Sequence, residues 1–330
     1  MRRQAFLITS SLALAAALPA AAPAQGPPLP PAPPVAPQPA AGKMSLVVKN
    51  GLPTRKARYF MRGQRVLVVS RVKPFVPGQV AVLEYLRRGK VIARKRAAIR
   101  PASGAGRAVF RFKLRRRGTL RLRARHRPTP QQRGFRSRAV RLKAGVFRAG
   151  QGARGAKVVL LQRALKRMGF AVPVSGYYDA GTSRAVLAYR KTNGLGRDGY
   201  ATPRVYSRVF RRRGAFRPRF PRAGRHVEFD WSRQVLVLVR KGRAYRVYHA
   251  SSGKASTPTV FGAFRFYRKQ PGVNSLGMVH SNYFIRGYAI HGYASVPSYP
   301  ASHGCIRVPI PNAAQIDRWI ALGQRVFVYR

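Results

Sequence analysis

The chain has 330 residues, 45% of them hydrophobic, and carries 66 Lys plus Arg against 6 Asp plus Glu, a formal charge of +60. Such a length holds more than one core, since domains usually run about 100–150 residues. So few acids leave little from which to build a paired-carboxylate glycosidase or a calcium site.

Arg2 and Arg3 open the chain, Phe6 to Leu18 form a short, mostly apolar run, and Ala22-Pro23-Ala24 offer small residues where a signal peptidase cuts. Residues 1–24 are therefore expected to be an export signal, with a retained membrane anchor as the alternative. The run is too short to span a bilayer, and no later stretch approaches the ~20 apolar residues a spanning helix needs. No stable membrane span is expected once the signal is removed. In an exported chain the charge fits anionic envelope polymers and lipid head groups better than nucleic acid. The basic residues are spread along the chain, so an arginine-biased composition on solvated faces explains much of the charge equally well.

Residues 25–42 are rich in proline and carry no charge, which predicts a semi-rigid polyproline II spacer. From 43 to 145, apolar and basic side chains alternate with period two. Arg65-Val66-Leu67-Val68-Val69, Val80 to Tyr85, Val109 to Leu114 and Leu120-Arg121-Leu122-Arg123 show it, with glycine-bearing turns between them. Alternation of this kind marks half-buried strands and predicts an antiparallel sandwich. The pattern resembles bacterial Ig-like modules.

Residues 147–212 change character. Val158 to Phe170 has helical spacing with Gly169 near its end. After the turn Gly176-x-Tyr178-Asp179, Thr182 is expected to cap a second helix carrying Ala185, Val186 and Tyr189. Gly194-Leu195 and Asp198-Gly199 close it, and a third helix starts at Pro203. Leu161, Leu165, Val186 and Tyr189 are expected core. With the pair Leu161-Gln162, these landmarks resemble the peptidoglycan-binding domain family, a small three-helix module. The family usually has Gln where Arg190 stands.

Residues 224–330 read as strands at Val227–Asp230, Gln234–Val239, Ala244–Tyr248 and near Phe264–Tyr267, a helix over Asn312–Leu322 and a last strand at Arg325–Tyr329. That is a mostly β domain with one helix. The fold class expected for the chain is multidomain: β-sandwich, three-helix module, then this domain.

The single cysteine, Cys305, lies in this last part, within Ser302-His303-Gly304-Cys305-Ile306-Arg307. An exported protein usually pairs its cysteines, and a lone thiol has no such role within the chain. A thiol becomes a good nucleophile as thiolate, which needs a base in reach and a group that orients the base. His291 and His303 are the candidate bases. In an extended segment His303, Cys305 and Arg307 would share one face. Gly292 follows His291, so a backbone carbonyl could orient that ring. Gly304 lets the N–H groups of Gly304 and Cys305 turn toward a substrate carbonyl as an oxyanion hole. Arg307 is the candidate holder of a substrate carboxylate. Cys305, His303 and His291 fall short of a tetrahedral zinc site without another ligand or water, so no metal and no cofactor is expected.

Ile290-His291-Gly292 followed by Ser302 to Arg307 resembles the signature of the YkuD-type L,D-transpeptidases. Ser251-x-Gly253, Thr257-Pro258 ahead of Gly262-x-Phe264, and the terminal helix and strand extend the resemblance over residues 224–330. Thr-Pro stands farther from Gly-x-Phe than is usual, and the loop between His291 and Ser302 is compact. The resemblance implies acyl transfer between peptidoglycan stem peptides, donor and acceptor. Cys305 would attack the carbonyl of the third residue of a tetrapeptide stem and expel D-alanine. His291 would act as base with the Gly292 carbonyl holding its ring, His303 would assist, and Ser302 would support. The thioester would pass to a neighbouring amine, giving a 3→3 crosslink in the wall or periplasm. With water as acceptor the enzyme would be an L,D-carboxypeptidase. The remaining alternative is a non-catalytic wall-binding protein.

Overall fold

The computed structural model describes residues 38–330; the expected signal segment and nearly all of the expected spacer lie outside the described residues. The alternating stretch forms β1 (Lys43–Val48), β2 (Leu52–Pro53), β3 (Arg58–Met61), β4 (Arg65–Lys73), β5 (Val80–Arg87), β6 (Lys90–Ala98), β7 (Arg100–Ala102), β8 (Ala105–Lys113), β9 (Gly118–His126), β10 (Phe135–Arg136) and β11 (Val140–Gly145). One sheet runs β1-β4-β8-β7 and the other β2-β3-β11-β9-β5-β6, with β10 against β9. Val66, Val68 and Phe110 of the first sheet meet Phe60, Leu83 and Leu122 of the second in a shared core. Alternate residues of β4, β8 and β9 thus close the core while the arginines between them point away from it. One of the few carboxylates, Glu84, is buried and receives Arg123 through Nε at 2.9 Å and Nη2 at 2.7 Å.

Three helices follow: α1 (Ala156–Arg167), α2 (Ala180–Thr192) and α3 (Pro203–Phe210). Leu161, Leu165, Val186 and Tyr189 are fully buried among them. The cap of α2 differs from expectation. Asp179 is the capping residue, and its Oδ1 accepts from the N–H and the hydroxyl of Thr182, both at 2.7 Å. Thr182 therefore sits in the first turn, because a carboxylate one turn earlier reaches the free amide better. Arg190 ties the following loop together, donating to the carbonyls of Gly196 (2.6 Å) and Tyr200 (3.0 Å) and to the carboxylate of Asp198 (2.6 Å).

The last part contains β12 (His226–Asp230), β13 (Val235–Arg240), β14 (Arg243–His249), β15 (Gly262–Arg265), β16 (Arg268–Val273), β17 (Val279–Ile285), β18 (Tyr288–Tyr293), β19 (Ile306–Pro309), α4 (Ile310–Trp319) and β20 (Arg325–Tyr329). One sheet is ordered β14-β13-β12-β20-β15 and the other β16-β17-β18-β19. The helix begins two residues earlier and ends three earlier than the sequence suggests.

Strand β13 explains how the helices attach. Its run of five apolar residues is buried on both faces, as expected for a strand covered from two sides. Leu236 and Leu238 join the core between the two sheets, with Phe229, Ile290 and Val308. Val235, Val237 and Val239 join the core of the helices, with Leu161, Phe170 and Tyr189. At the edge, β14 exchanges backbone hydrogen bonds with the loop after α1. The Val247 N–H donates to the Gly169 carbonyl at 2.8 Å, and the Ala171 N–H to the Val247 carbonyl at 3.1 Å. The helical part and the last part therefore share a continuous apolar core.

Candidate active site

The second sheet of the last part brings the sequence candidates together. Strands β18 and β19 run parallel, with His291 opposite Arg307 in the register. Cys305 precedes β19 by one residue. A cleft of about 590 Å³ is lined by His291, Ser302, His303, Cys305 and Arg307, together with Arg268, Met278 and Tyr283.

Cys305 does not stand on an extended segment. Residues 303–305 bend, with Gly304 at φ +113°, a conformation that L side chains rarely adopt. Ser302 closes the bend. Its hydroxyl donates to the Cys305 carbonyl at 2.5 Å and accepts the Gly304 N–H at 3.1 Å. The period-two relation of His303 to Cys305 is therefore lost, although both still face the cleft. The Gly304 N–H is engaged by Ser302 and is not directed at a substrate oxygen.

The bend is also held from outside. Thr259 Oγ1 donates to the Gly304 carbonyl at 2.6 Å, and Thr257 Oγ1 to the Ser302 carbonyl at 3.0 Å. The Ser252 carbonyl accepts the N–H groups of Ala301 (2.7 Å) and Ser302 (2.8 Å), and Ser251 and Arg307 exchange backbone bonds at 3.0 and 2.8 Å. Thus Ser251-x-Gly253 and Thr257-Pro258-Thr259 form the cradle of the cysteine bend, a link that spacing alone could not reveal.

His291 is buried, and its Nδ1 lies 2.9 Å from the Gly292 carbonyl. A carbonyl only accepts, so Nδ1 carries the hydrogen and Nε2 is left with its lone pair. Burial lowers the imidazole below its ordinary range, the Gly292 carbonyl opposes this, and Arg307 adds to it. For Cys305 burial raises the thiol, while the Ala289 N–H, 3.4 Å from Sγ, and Arg307 pull it back. Resting thiol and imidazole are therefore both neutral. Gly292 packs tightly: a Cβ there would stand 2.7 Å from the Ala313 Cβ of α4 and 3.3 Å from the Ile310 backbone.

Two cations face the cleft, and no acid lines it. The Arg307 guanidinium stacks 4.1 Å from the Tyr293 ring centre, and that of Arg268 4.0 Å from the Tyr283 ring centre. Sequence reading missed Arg268, Met278 and Tyr283, which reach the cleft because β16 and β17 fold as a hairpin beside β18. The glycines Gly272 and Gly277, both at positive φ, were the available signal. His303 is exposed at the rim. Among the described residues no group of three or more His, Cys, Asp or Glu comes together as a metal site.

Comparison with known proteins bears on the same regions. A family model of the L,D-transpeptidase catalytic domain matches residues 224–328, and one of a putative peptidoglycan binding domain matches residues 154–208. Among solved structures the chain is similar to the L,D-transpeptidase from Xylanimonas cellulosilytica, at 34% identity and TM-score 0.51, over 55% of this chain and 97% of that one. It is also similar to the L,D-transpeptidase from Stackebrandtia nassauensis, at 18% identity and TM-score 0.35, over 55% and 95%. The L,D-transpeptidase from Mycobacterium smegmatis follows at 14% identity and TM-score 0.28, over 87% and 100%. No curated protein matches the chain.

Proposed function

The chain belongs to the L,D-transpeptidase family, and on that premise we propose that it is an exported enzyme that crosslinks peptidoglycan through a Cys305 thioester. The observation that carries the reading is that the only cysteine and His291 line one cleft, the imidazole held through Nδ1 with Nε2 free to accept.

The chemistry follows from these groups. As Sγ attacks the carbonyl carbon of the third stem residue, His291 Nε2 takes the thiol proton. The Cys305 N–H, at the end of the bend, is the donor proposed for the oxygen that becomes negative. The carbon–nitrogen bond then breaks, His291 returns the proton to the departing D-alanine amine, and a thioester remains. An acceptor amine attacks it, forms the new amide and releases the thiol. Arg307 and Arg268 supply positive charge for the stem carboxylates, with no acid of the cleft opposing them. His303, exposed at the rim of the same cleft, would assist in orientation or proton transfer.

The proposed division of labour is as follows. Residues 1–24 direct export and 25–42 space the protein from the membrane or cleavage site. Residues 43–145 form an Ig-like module, 147–212 the three-helix peptidoglycan-binding domain, and 224–330 the catalytic domain. The site of action is the wall or periplasm. Water as acceptor would give L,D-carboxypeptidase activity from the same thioester.

Mass spectrometry of purified muropeptides incubated with the protein tests this. The expected products are free D-alanine and a crosslinked dimer, and neither from Cys305→Ala. A Cys305→Ala protein that still makes dimers defeats the proposal.

A further inference from the structure

The segment 294–301 joins β18, which carries His291, to Ser302, which closes the cysteine bend. It has no strand or helix of its own, and Pro297 and Pro300 lack N–H groups. Its carbonyls must therefore be satisfied from outside. Three of them are. Ser251 Oγ donates to the Tyr299 carbonyl at 2.6 Å. Of the other two, one is reached by His249 of β14, which Lys191 of the helical module contacts, and one directly by Arg197 of that module.

Lys191, near the end of α2, is 3% exposed. Its Nζ donates to the Ala250 carbonyl at 3.0 Å and lies 2.9 Å from His249 Nδ1. The Val296 carbonyl facing His249 Nε2 only accepts, so Nε2 carries the ring hydrogen and Nδ1 of the neutral ring accepts from the amine. That Nε2 lies 2.8 Å from the Val296 carbonyl and donates to it. The relay runs one way: Lys191 to His249 to Val296. A second tie is independent of it. Arg197, in the loop after α2, donates to the Ser298 carbonyl at 2.8 Å and the Ser232 carbonyl at 2.9 Å.

We propose that Lys191 and His249, with Arg197, are positioning residues through which the helical module sets the geometry of His291 and Cys305. The inference rests on the reading of Cys305 as the nucleophile. An apolar side chain as long as lysine would fill the same space without the cost of desolvating an amine; it would not supply the two bonds. Burial, with Arg197 nearby, lowers Lys191 to about 6, and burial with Lys191 and Arg184 lowers His249 to about 3. Near neutral pH the relay is thus uncharged, and the Val296 carbonyl sets the direction of its hydrogen bonds. The wall-binding part then acts on the chemical step as well as on location.

The test uses the full-length protein with Lys191→Met, His249→Leu, His249→Gln and Arg197→Ala. Glutamine can accept from Lys191 and donate to Val296, so His249→Gln is the rescue variant. Two rates are read: D-alanine release from a tetrapeptide donor, as kcat and KM, and alkylation of Cys305 by iodoacetamide. Because Cys305 is the only cysteine, alkylation reports its setting without any transpeptidase activity. Lys191→Met and His249→Leu are expected to lower kcat by about tenfold or more with KM within about twofold, and to slow alkylation in parallel. His249→Gln should recover most of both. Folded variants with wild-type kcat and alkylation rates overturn the proposal, as does a change confined to KM. Should Lys191→Met fail to fold, Arg197→Ala at an exposed position decides by the same readings. If the wild type releases no D-alanine, the enzymatic reading falls, and the alkylation rates still judge the positioning role.

Discussion

Thr259 holds the carbonyl of Gly304 at 2.6 Å while its hydroxyl oxygen accepts the Gly253 N–H at 2.8 Å. One hydroxyl thus fastens the bend that presents Cys305 to the strand segment beneath it. Thr259 and Gly304 are both buried, so water cannot replace the bonds.

Thr259→Val keeps the shape and removes the hydroxyl. Two buried backbone groups are left without partners, which is expected to cost about 1–3 kcal/mol in urea unfolding. The Cys305 alkylation rate should change with it, since Gly304 is free to turn. A variant that matches the wild type in both measurements would show the Thr259 contact to be incidental.

With His291 as the proposed base, its imidazole sets the expected pH dependence. Its imidazole titrates below the ordinary 6.5, and burial places the thiol above its ordinary 9.0. Acylation by a stem donor should therefore hold a plateau above pH 6.5 and fall on the acid side as Nε2 protonates. His291→Gln removes the base, and the rate near neutral pH should drop by about 10²–10⁴. What remains should climb with pH as the thiolate forms, up to the raised thiol value. A His291→Gln profile that is flat over that range argues against imidazole as the base.

Gly292 gives a test of packing under the base. In Gly292→Ala the new methyl would meet Ala313 and the start of α4. Overpacking of this kind is expected to cost about 1–3 kcal/mol and to shift the carbonyl that orients His291. Thermal unfolding together with the donor acylation rate checks both effects. A stable Gly292→Ala protein with full acylation would mean that α4 moves aside freely.

Lys191 makes stability depend on pH with a definite sign. Unfolded, the amine keeps its proton up to the ordinary 10.5; folded, burial and then Arg197 lower it to about 6. Between these values the unfolded chain binds one more proton, so the cost of burying Lys191 is full below about 6 and vanishes as pH rises through 10.5. The wild type should gain about 1.4 kcal/mol per pH unit from this group across that window, and Lys191→Met should lack the gain. Urea unfolding at several pH values compares the slopes. Equal slopes would mean that the buried amine keeps its charge.

Sequence pattern carried far in this chain wherever a local rule applies. Period two in residues 43–145 marks the strands of two sheets, and 3.6 periodicity marks α1 and α2, because each reports a side chain's face from its immediate neighbours. The candidate residues Cys305, His291, Ser302 and Arg307 were legible as residue types at short spacing, and all line one cleft. Local reasoning erred where backbone direction depends on distant partners. It drew residues 303–305 as extended, whereas Ser302, Thr257 and Thr259 hold them in a bend. It gave the cap of α2 to Thr182, because a run of letters does not show which oxygen reaches a free amide first.

By itself, then, the order of residues determined which groups are available for chemistry and which faces are apolar. Assembly decided what those groups can do: Gly304 turned inward, Arg268 was brought from another hairpin, and β13 was covered on both faces. The reason is the range of the forces involved. Periodicity is set by bonds between near neighbours, whereas burial and hydrogen-bond direction at the Cys305 bend depend on side chains 45 positions away in the chain, settled only when the cores close.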